Sequence, residues 1–331
     1  VCPNCCAAFG ASSSIWVFAQ GPAPAVELAR KAHPEETPTG IDSGEDPRMT
    51  TSDGSDRGRA LVARPLAMLR AAYTACGSEA ELDALGATLA ADERAGAREL
   101  LSRIEARRGA GRRERERLAR LLALRDALHA SGVRGIAGVD EVGVGPFAGP
   151  VVAAAVVLPL EVPLEGLDDS KRVPPARRII LAGEIRAVAL GVGIGEVSVE
   201  EIDQVGIYRA ALEAMRRAVA SLSRVHAVGH LLVDARTVPG IDVPQTSIIK
   251  GDQKDASIAA ASIVAKVYRD AGMERLANRY PAYGFERHMG YGTAEHVAAL
   301  ERYGPCPAHR RSFAPVALAE RRSSSRSGAH V

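Results

Sequence analysis

Short apolar runs alternate with longer helical patterns in the second part of the chain, and this alternation limits the possible folds most. Runs rich in Val, Ile, Leu and Ala predict strands over 135–142, 150–158, 189–197, 231–234 and 245–249. Apolar residues at turn spacing predict helices over 200–222, 256–278 and 293–302. Strands mixed with helices are typical of a layered α/β domain, which we place at 134–316.

The residues on either side of this domain have different compositions. Residues 1–58 are rich in Ser, Gly, Pro, Asp and Glu, and we expect them to be disordered because they cannot bury enough apolar surface. Residues 59–133 are rich in Ala, Leu, Arg and Glu, which predicts a helical extension. The tail 317–331 is rich in Ser and Arg and is also predicted to be disordered.

Two local signals refine the helical extension. Ser78 and Glu81 have the spacing of a capping box, and Gly109-Ala-Gly111 predicts a break that would make the longer run a helical hairpin. Arginines outnumber glutamates between residues 98 and 125. This excess is compatible with a solvated face of ion pairs or with an arm that binds phosphate, and both interpretations stay open.

Composition excludes several classes of protein. Hydrophobic residues make up 47% and charged residues 25% of the 331 residues, as in globular proteins, and the net charge of +2 indicates no particular partner. No apolar run approaches the length of a membrane span, and no secretory signal is evident. Cys2 and Cys5 lack the further ligands of a zinc site. The cysteine count and the chain length exclude a disulfide scaffold, so we expect a reducing, cytoplasmic location.

Four acids stand at the end of a strand or ahead of a helix. Asp140 and Glu141 end the first strand, Asp234 ends the run HLLVD, and Asp252 precedes the long helix. Ligands of open α/β sheets bind at such strand ends. Carboxylates brought together repel each other unless a hard divalent cation such as Mg²⁺ intervenes. These acids are therefore candidate metal ligands.

Each acid also has a plain structural explanation. Asp252 could be a helix cap, Asp234 a turn former, and the Asp140–Glu141 pair an exposed strand end. Neighbouring side chains of a regular strand face opposite ways, so the pair can serve one metal site only if the strand ends or twists there. Asp270 competes with Asp252, but it lies about 14 residues into the helix, roughly 21 Å along its axis, so the two cannot share one cluster.

Several blocks of the sequence resemble bacterial ribonuclease HII in order and spacing. The resemblance covers about 134–316, and residues 92–130 resemble an N-terminal extension that some bacterial members carry. The blocks are GVDEVGVGPFAGPVVAAAVVLP, DDSKR, EIDQVGIYRAALEAMRRA, LLVDA, IKGDQKDASIAAASIVAKVYRD, YPAYGFERHMGYGTAEH and GPCPAHRRSF.

The resemblance implies a ribonuclease H-like α/β fold, with a five-stranded mixed sheet flanked by helices and a C-terminal helical part. It implies an endonuclease that cuts the RNA strand of RNA–DNA hybrids, and ribonucleotides embedded in duplex DNA, leaving 3′-hydroxyl and 5′-phosphate ends. Two divalent ions, Mn²⁺ or Mg²⁺, are the implied cofactors. A monomer with no membrane partner is expected.

The resemblance also implies roles for individual residues. The catalytic and metal-binding carboxylates would be Asp140, Glu141, Asp234 and Asp252. The substrate-binding residues would be Gly143, Val144, Gly145, Ser170, Lys171 and Tyr291.

The sequence departs from the family pattern at Val144. Ribonuclease HII normally has Arg between the two glycines that follow the acid pair, and Val has neither charge nor donors. Weaker binding of phosphate and weaker cleavage at single ribonucleotides are therefore expected. A hybrid-binding protein with impaired catalysis and a DNA-cutting relative on the same fold are alternatives to an active hybrid nuclease.

Overall fold

The computed structural model describes residues 64–327, and these form two compact units, residues 64–116 and residues 117–327. The division falls inside a helix, whereas the sequence pattern places it after residue 133. The expectations for residues 1–58, including Cys2 and Cys5, lie outside the described residues. Between residues 64 and 327, no helix is both long and apolar enough to cross a membrane.

The first unit contains α1 (Leu66–Ala75), α2 (Glu79–Leu89) and the start of α3 (Ala95–Ala130). The Ser78 side chain accepts a hydrogen bond from the Glu81 amide, and the Glu81 carboxylate accepts one from the Ser78 amide, so the predicted capping box is confirmed. The buried residues of this unit form a small core: Leu69, Cys76, Leu82, Leu85, Leu89, Ala97, Leu100 and Ile104.

Helix α3 runs without a break through Gly109-Ala-Gly111, so the predicted helical hairpin is wrong. Each glycine costs a helix only about 1 kcal/mol relative to alanine, and the surrounding Arg, Glu, Leu and Ala are good helix formers. Several arginines of this helix pair with acids, for example Arg103 with Glu99 at 2.7 Å and Arg108 with Asp83 at 2.8 Å.

The second unit is built on a five-stranded mixed sheet, as expected. Its strands are β1 (Ile136–Val142), β2 (Val151–Val157), β3 (Gly191–Val197), β4 (His230–Asp234) and β5 (Gln245–Ile248). Their order in the sheet is β3-β2-β1-β4-β5. β2 pairs antiparallel with β1 and β3, whereas β4 runs parallel to both β1 and β5. The carboxyl ends of β1, β4 and β5 therefore lie next to one another at the same end of the sheet.

Helices cover both faces of the sheet. They are α4 (Pro175–Val188), α5 (Val199–Val205), α6 (Ile207–Leu222), α7 (Ala256–Arg279), α8 (Phe285–His288), α9 (Ala294–Tyr303) and α10 (Ala314–Ser327). Met215 and Leu222 of α6 belong to the core on one face, and Leu181 of α4 and Ile263 of α7 to the core on the other.

Two helical predictions need correction. The helix expected over 200–222 is two helices, because Gly206 has a φ of 81° and leaves the helical conformation. The tail 317–331 was expected to be disordered, but α10 continues to Ser327. Val316 and Ala319 of α10 are buried against Leu300, and this apolar contact stabilises the helix.

Helix α7 lies close against β1 at Gly138. A Cβ atom at Gly138 would lie 2.0 Å from the backbone carbonyl carbon of Ser257. This distance is too short for any side chain, so only glycine fits at this position. The missing side chain lets α7 approach the strand that ends in Asp140, and this brings Ser262 of α7 to that carboxylate.

Gly138→Ala should lower the free energy of unfolding by at least about 1–3 kcal/mol, because α7 would have to move away from β1. Gly183→Ala is the matched control: it lies in α4 with no atom within 4 Å of the added methyl group, and it should stabilise the protein by roughly 0.5–1 kcal/mol. Urea unfolding of both variants measures the two effects. Equal stability of Gly138→Ala and the parent protein would contradict the close packing.

Candidate active site

Strand register brings the predicted acids together. Val139 of β1 and Val233 of β4 are the last paired residues of two parallel strands, so Asp140 and Asp234 follow them side by side. The next strand pairs Ile248 with Asp234, and the chain then turns at Lys250, whose φ is 57°, towards Asp252. The Gly251 amide in this turn donates a hydrogen bond to Asp234 Oδ1 at 2.6 Å.

Asp140 and Glu141 lie on opposite faces of β1, as neighbours in a strand do. Asp140 is paired with Ala154, which is part of the core under α7, and Glu141 with Ala153, which is part of the core under α6. Both carboxylates nevertheless interact electrostatically with Asp234. Pairing of β1 with β4 ends at Val139, just before the two acids, whereas pairing with β2 continues to Val142, where β1 ends.

Burial makes negative charge costly in this cluster. It raises the pKa of Asp140 well above its ordinary value, and repulsion from Glu141 and Asp234 adds to this, although a hydrogen bond from Ser262 opposes it. Burial also raises the pKa of Glu141, which the nearby Arg236 lowers in part. Asp140 is 7% exposed, so water does little to screen the repulsion.

Asp252 has a further acidic neighbour that the sequence analysis missed. Burial raises the pKa of Asp252 to about 6, with contributions from Asp169 and Asp234. Asp169 is 5% exposed, and its carboxylate accepts hydrogen bonds from the Lys171 amide and the Gln253 side chain. Its place in the block DDSKR, directly before Ser170 and Lys171, is the signal that could have identified it.

Lys171 is the cation of this cluster. Burial lowers the pKa of Lys171, but the carboxylates of Asp169, Asp252 and Asp140 together raise it above its ordinary value. Ser170 does not fit the predicted contact with substrate: it is 4% exposed, and its hydroxyl oxygen lies 2.9 Å from that of Ser262, within hydrogen-bond distance. It supports the serine that bonds to Asp140.

The donor set fits a hard divalent cation. All candidate ligands are carboxylate oxygens, and Glu141 Oε2 is buried with no hydrogen-bond partner in the part of the chain that the structure describes. A bound cation would also offset the repulsion that raises the pKa values of Asp140 and Asp252. Within residues 64–327, however, no three His, Cys, Asp or Glu side chains are grouped in a way that could already hold an ion.

The loop after the acid pair faces Tyr291. Gly143 has a φ of 90°, and a Cβ atom there would lie 2.3 Å from Arg269 Nε, so only glycine fits. A Cβ atom added at Gly145 would lie 3.6 Å from Cε1 of Tyr291, and Tyr291 is 42% exposed. Val144 is half-buried, and its side chain packs on the core under α6. Because this side chain is apolar, it offers no hydrogen-bond donor to a ligand.

Two buried arginines hold this loop through its backbone. Arg269 donates to the carbonyl oxygens of Pro150, Met289 and Ala148, each at 3.0 Å. Arg310 is fully buried and donates at 2.6–3.2 Å to the carbonyl oxygens of Gly143, Val144, Pro146, Gly149 and Pro150. Burial and the nearby Arg269 lower the pKa of Arg310 to about 9.

Two histidines, His296 and His309, form a chain of close contacts that ends at the backbone of Tyr291. His296 Nδ1 lies 2.9 Å from the Tyr291 carbonyl oxygen, and His296 Nε2 lies 3.0 Å from His309 Nε2. Burial and the neighbouring His296 lower the pKa of His309 to about 4. The pair therefore stays neutral at physiological pH, and one shared proton can bridge the two rings.

Asp270, the competing candidate, lies outside the cluster. Its carboxylate pairs with Lys266 at 2.6 Å and with Arg178 at 3.5 Å. The neighbouring Arg269 donates to the backbone of the glycine loop instead. Asp270 thus belongs to a structural ion-pair network with Lys266 and Arg178.

Known proteins match nearly the same residues as the α/β domain predicted at 134–316. A family model described as Ribonuclease HII matches residues 137–316. Ribonuclease HII of Geobacillus thermodenitrificans is 52% identical over 238 residues, which are 72% of this chain and 91% of that protein. Ribonuclease HII of Geobacillus kaustophilus is 52% identical over 250 residues, 74% of this chain and 95% of that protein.

The two matches are longer than the family model, and only residues 317–331 follow its end. Most of the additional matched residues therefore precede residue 137, so the similarity includes part of the helical extension. Among solved structures, the crystal structure of ribonuclease H2 from Pyrococcus horikoshii is 27% identical with a TM-score of 0.49, covering 56% of this chain and 97% of that one.

Asp252→Asn should raise the melting temperature at pH 7.5 in the presence of a chelator. The pKa of Asp252 is raised from an ordinary 3.8 to about 6, so its stabilising contribution is present below pH 4 and is lost as the pH rises to 6. The difference from the parent protein should grow between pH 4 and 6. Thermal unfolding across this range measures it, with Asp242→Asn, an exposed aspartate, as the control. A pH-independent difference would refute the electrostatic explanation.

Proposed function

The chain belongs to the ribonuclease HII family, and we propose that it hydrolyses the RNA strand of RNA–DNA hybrids at the carboxylates of Asp140, Glu141, Asp234 and Asp252. Membership makes it a ribonuclease H enzyme, and its relatives support activity on hybrids. One observation carries the assignment to these residues: Asp140 and Asp252 come from different strand ends and both interact with Asp234, and burial with repulsion from neighbouring carboxylates raises the pKa values of Asp140 and Asp252.

The proposed cofactors are divalent ions, Mg²⁺ or Mn²⁺, held by these four carboxylates. Such ions, when bound, lower the pKa of a water molecule and offset negative charge on a phosphate. The protein's part is to hold the carboxylates in place: Gly251 orients Asp234, Ser262 orients Asp140, and Asp169 stands beside Asp252.

The neighbouring residues are suited to bind the substrate. Lys171 is a cation beside the carboxylates and would contact a phosphate oxygen of the RNA strand. The exposed backbone of Gly145 and the ring of Tyr291 form one surface, on which a sugar can pack and a 2′-hydroxyl can reach a peptide group. The 2′-hydroxyl distinguishes RNA from DNA, so this surface would select the strand that is cut.

We propose the further properties of the family in the same way. Hydrolysis would leave 3′-hydroxyl and 5′-phosphate ends, and single ribonucleotides in duplex DNA would be a second substrate. Such substrates arise during DNA replication and repair. The proposed place of action is the cytoplasm, and the proposed active form is a monomer. The alternative function, hybrid binding with impaired catalysis, is motivated by Val144, which offers no donor to phosphate.

Asp140→Asn should reduce the cleavage rate of a long RNA–DNA hybrid by at least about 10³-fold, since it removes a charged ligand from the cluster. Binding of the uncut hybrid should remain. Gel analysis of the products with Mg²⁺ or Mn²⁺ gives the rate and the end chemistry, and Asp242→Asn serves as the exposed-residue control. A fully active Asp140→Asn would refute the site, and an inactive parent protein that still binds hybrid would favour the alternative function.

Val144→Arg should increase cleavage of a duplex with one embedded ribonucleotide more than cleavage of a long hybrid. The guanidinium would restore a forked phosphate donor at a position where a single ribonucleotide offers few other contacts. Val225→Arg, which adds the same charge at an exposed valine before β4, controls for nonspecific attraction to nucleic acid. Unchanged rates for Val144→Arg on both substrates would count against a role for this side chain.

A further inference from the structure

Arg236 stands beside the carboxylates without a role in the site described above. It follows Asp234 by two residues, after Ala235, whose φ of 48° turns the chain at the end of β4. Its Nε atom lies 3.3 Å from Glu141 Oε1. Its guanidinium carbon lies 5.1 Å from the centre of the Tyr208 ring, so the group is held between an acid and an aromatic face.

The ion pair between Arg236 and Glu141 uses only part of each side chain. An arginine and a carboxylate can form two parallel hydrogen bonds, which satisfy both oxygens and two nitrogens. Here Glu141 Oε2 and Arg236 Nη1 are both buried and have no hydrogen-bond partner among the described residues. Burial of an unsatisfied donor is unfavourable, so this geometry leaves Arg236 with a donor that an incoming acceptor can satisfy.

Nη1 itself is buried, but the Arg236 side chain as a whole is partly exposed, so a small outward shift of the guanidinium would bring Nη1 to such an acceptor. The Arg236 side chain is 22% exposed, and Tyr208, against which it packs, is 63% exposed. The ring fixes the plane of the guanidinium, which reduces the conformational entropy lost on binding. Residues that surround it in the cluster are acidic, so a phosphate that approaches these carboxylates needs a cation beside it.

We propose that the Arg236 guanidinium binds a backbone phosphate of the hybrid next to the cleavage site, with a small outward shift that exposes Nη1 while Nε stays on Glu141. This inference rests on the proposed function, because it takes the hybrid as the ligand. Phosphate oxygens are the acceptors that a planar guanidinium fork matches best. Tyr208 is the positioning residue that orients the fork.

The competing explanation is that Arg236 acts only as a counter-ion of Glu141. Removal of Arg236 would then weaken binding of any anion simply because Glu141 is left uncompensated. A double-mutant cycle with Glu141→Gln separates the two explanations, since Arg236 has no charge to compensate at residue 141 in that background.

The experiment measures binding of a fluorescent RNA–DNA hybrid in the presence of a chelator, so that nothing is cleaved, at several monovalent salt concentrations. The full-length chain is compared with Arg236→Met and Arg236→Lys, and Glu141→Gln with Glu141→Gln/Arg236→Met. Arg224→Met is the matched control, because Arg224 is exposed and precedes β4, at the strand end opposite to Asp234. Thermal unfolding establishes that each variant is folded.

We expect Arg236→Met to weaken binding in both backgrounds and to reduce the slope of log affinity against log salt by about 0.7–0.9, the change for one lost phosphate contact. Arg236→Lys should keep the slope but bind more weakly than the parent protein, because lysine has no fork. Tyr208→Leu should lower affinity without changing the slope, whereas Tyr208→Phe should bind like the parent protein. Arg224→Met should have no effect.

Equal affinity and slope for Glu141→Gln and Glu141→Gln/Arg236→Met would overturn the proposal and leave Arg236 as a counter-ion. Full restoration of affinity by Arg236→Lys would do the same, because charge alone would then suffice. If the parent protein neither binds nor cleaves the hybrid, the proposed function fails and this proposal fails with it. If it does both and only Arg236→Met is without effect, the proposed function stands alone.

Discussion

Repulsion among buried carboxylates is the interaction around which the second unit is organised. Parallel pairing of β1 with β4 and of β4 with β5 directs Asp140, Asp234 and Asp252 to one edge of the sheet. Like charges in a poorly hydrated place raise one another's pKa values, and the folded chain tolerates this only because the rest of the domain is stable enough. A site of this kind is useful for binding cations and costs stability when none is bound.

The chain compensates for this cost with hydrogen bonds made by the backbone and by small side chains. The Gly251 amide donates to Asp234, and Ser262 supports Asp140 with Ser170 behind it. None of these groups is charged, so they orient the acids without neutralising them. The glycine-rich loop shows the converse arrangement: two buried arginines, Arg269 and Arg310, bond to its carbonyl oxygens and leave its surface free for a ligand.

The interpretation of positive charge changes with burial. Arginines are mostly exposed, but Arg310 is fully buried, donates to backbone carbonyl oxygens and packs on the ring of Phe313. Nothing in the sequence distinguishes Arg236, because a single arginine after a strand can have many roles. Its contact with Glu141 and its unsatisfied Nη1 are visible only when both side chains are placed.

The sequence by itself determined the strands, the long helix α7 and the family, because apolar periodicity and motif spacing are local properties that survive without knowledge of the tertiary structure. It also selected the four acids, since each lies beside a local boundary. It did not determine that α3 continues through Gly109, that Ser170 is buried, that Asp169 joins Asp252, or that Arg269 turns away from Asp270. Those features depend on which residues, distant along the chain, exclude water from one another, and only the packed tertiary structure decides that.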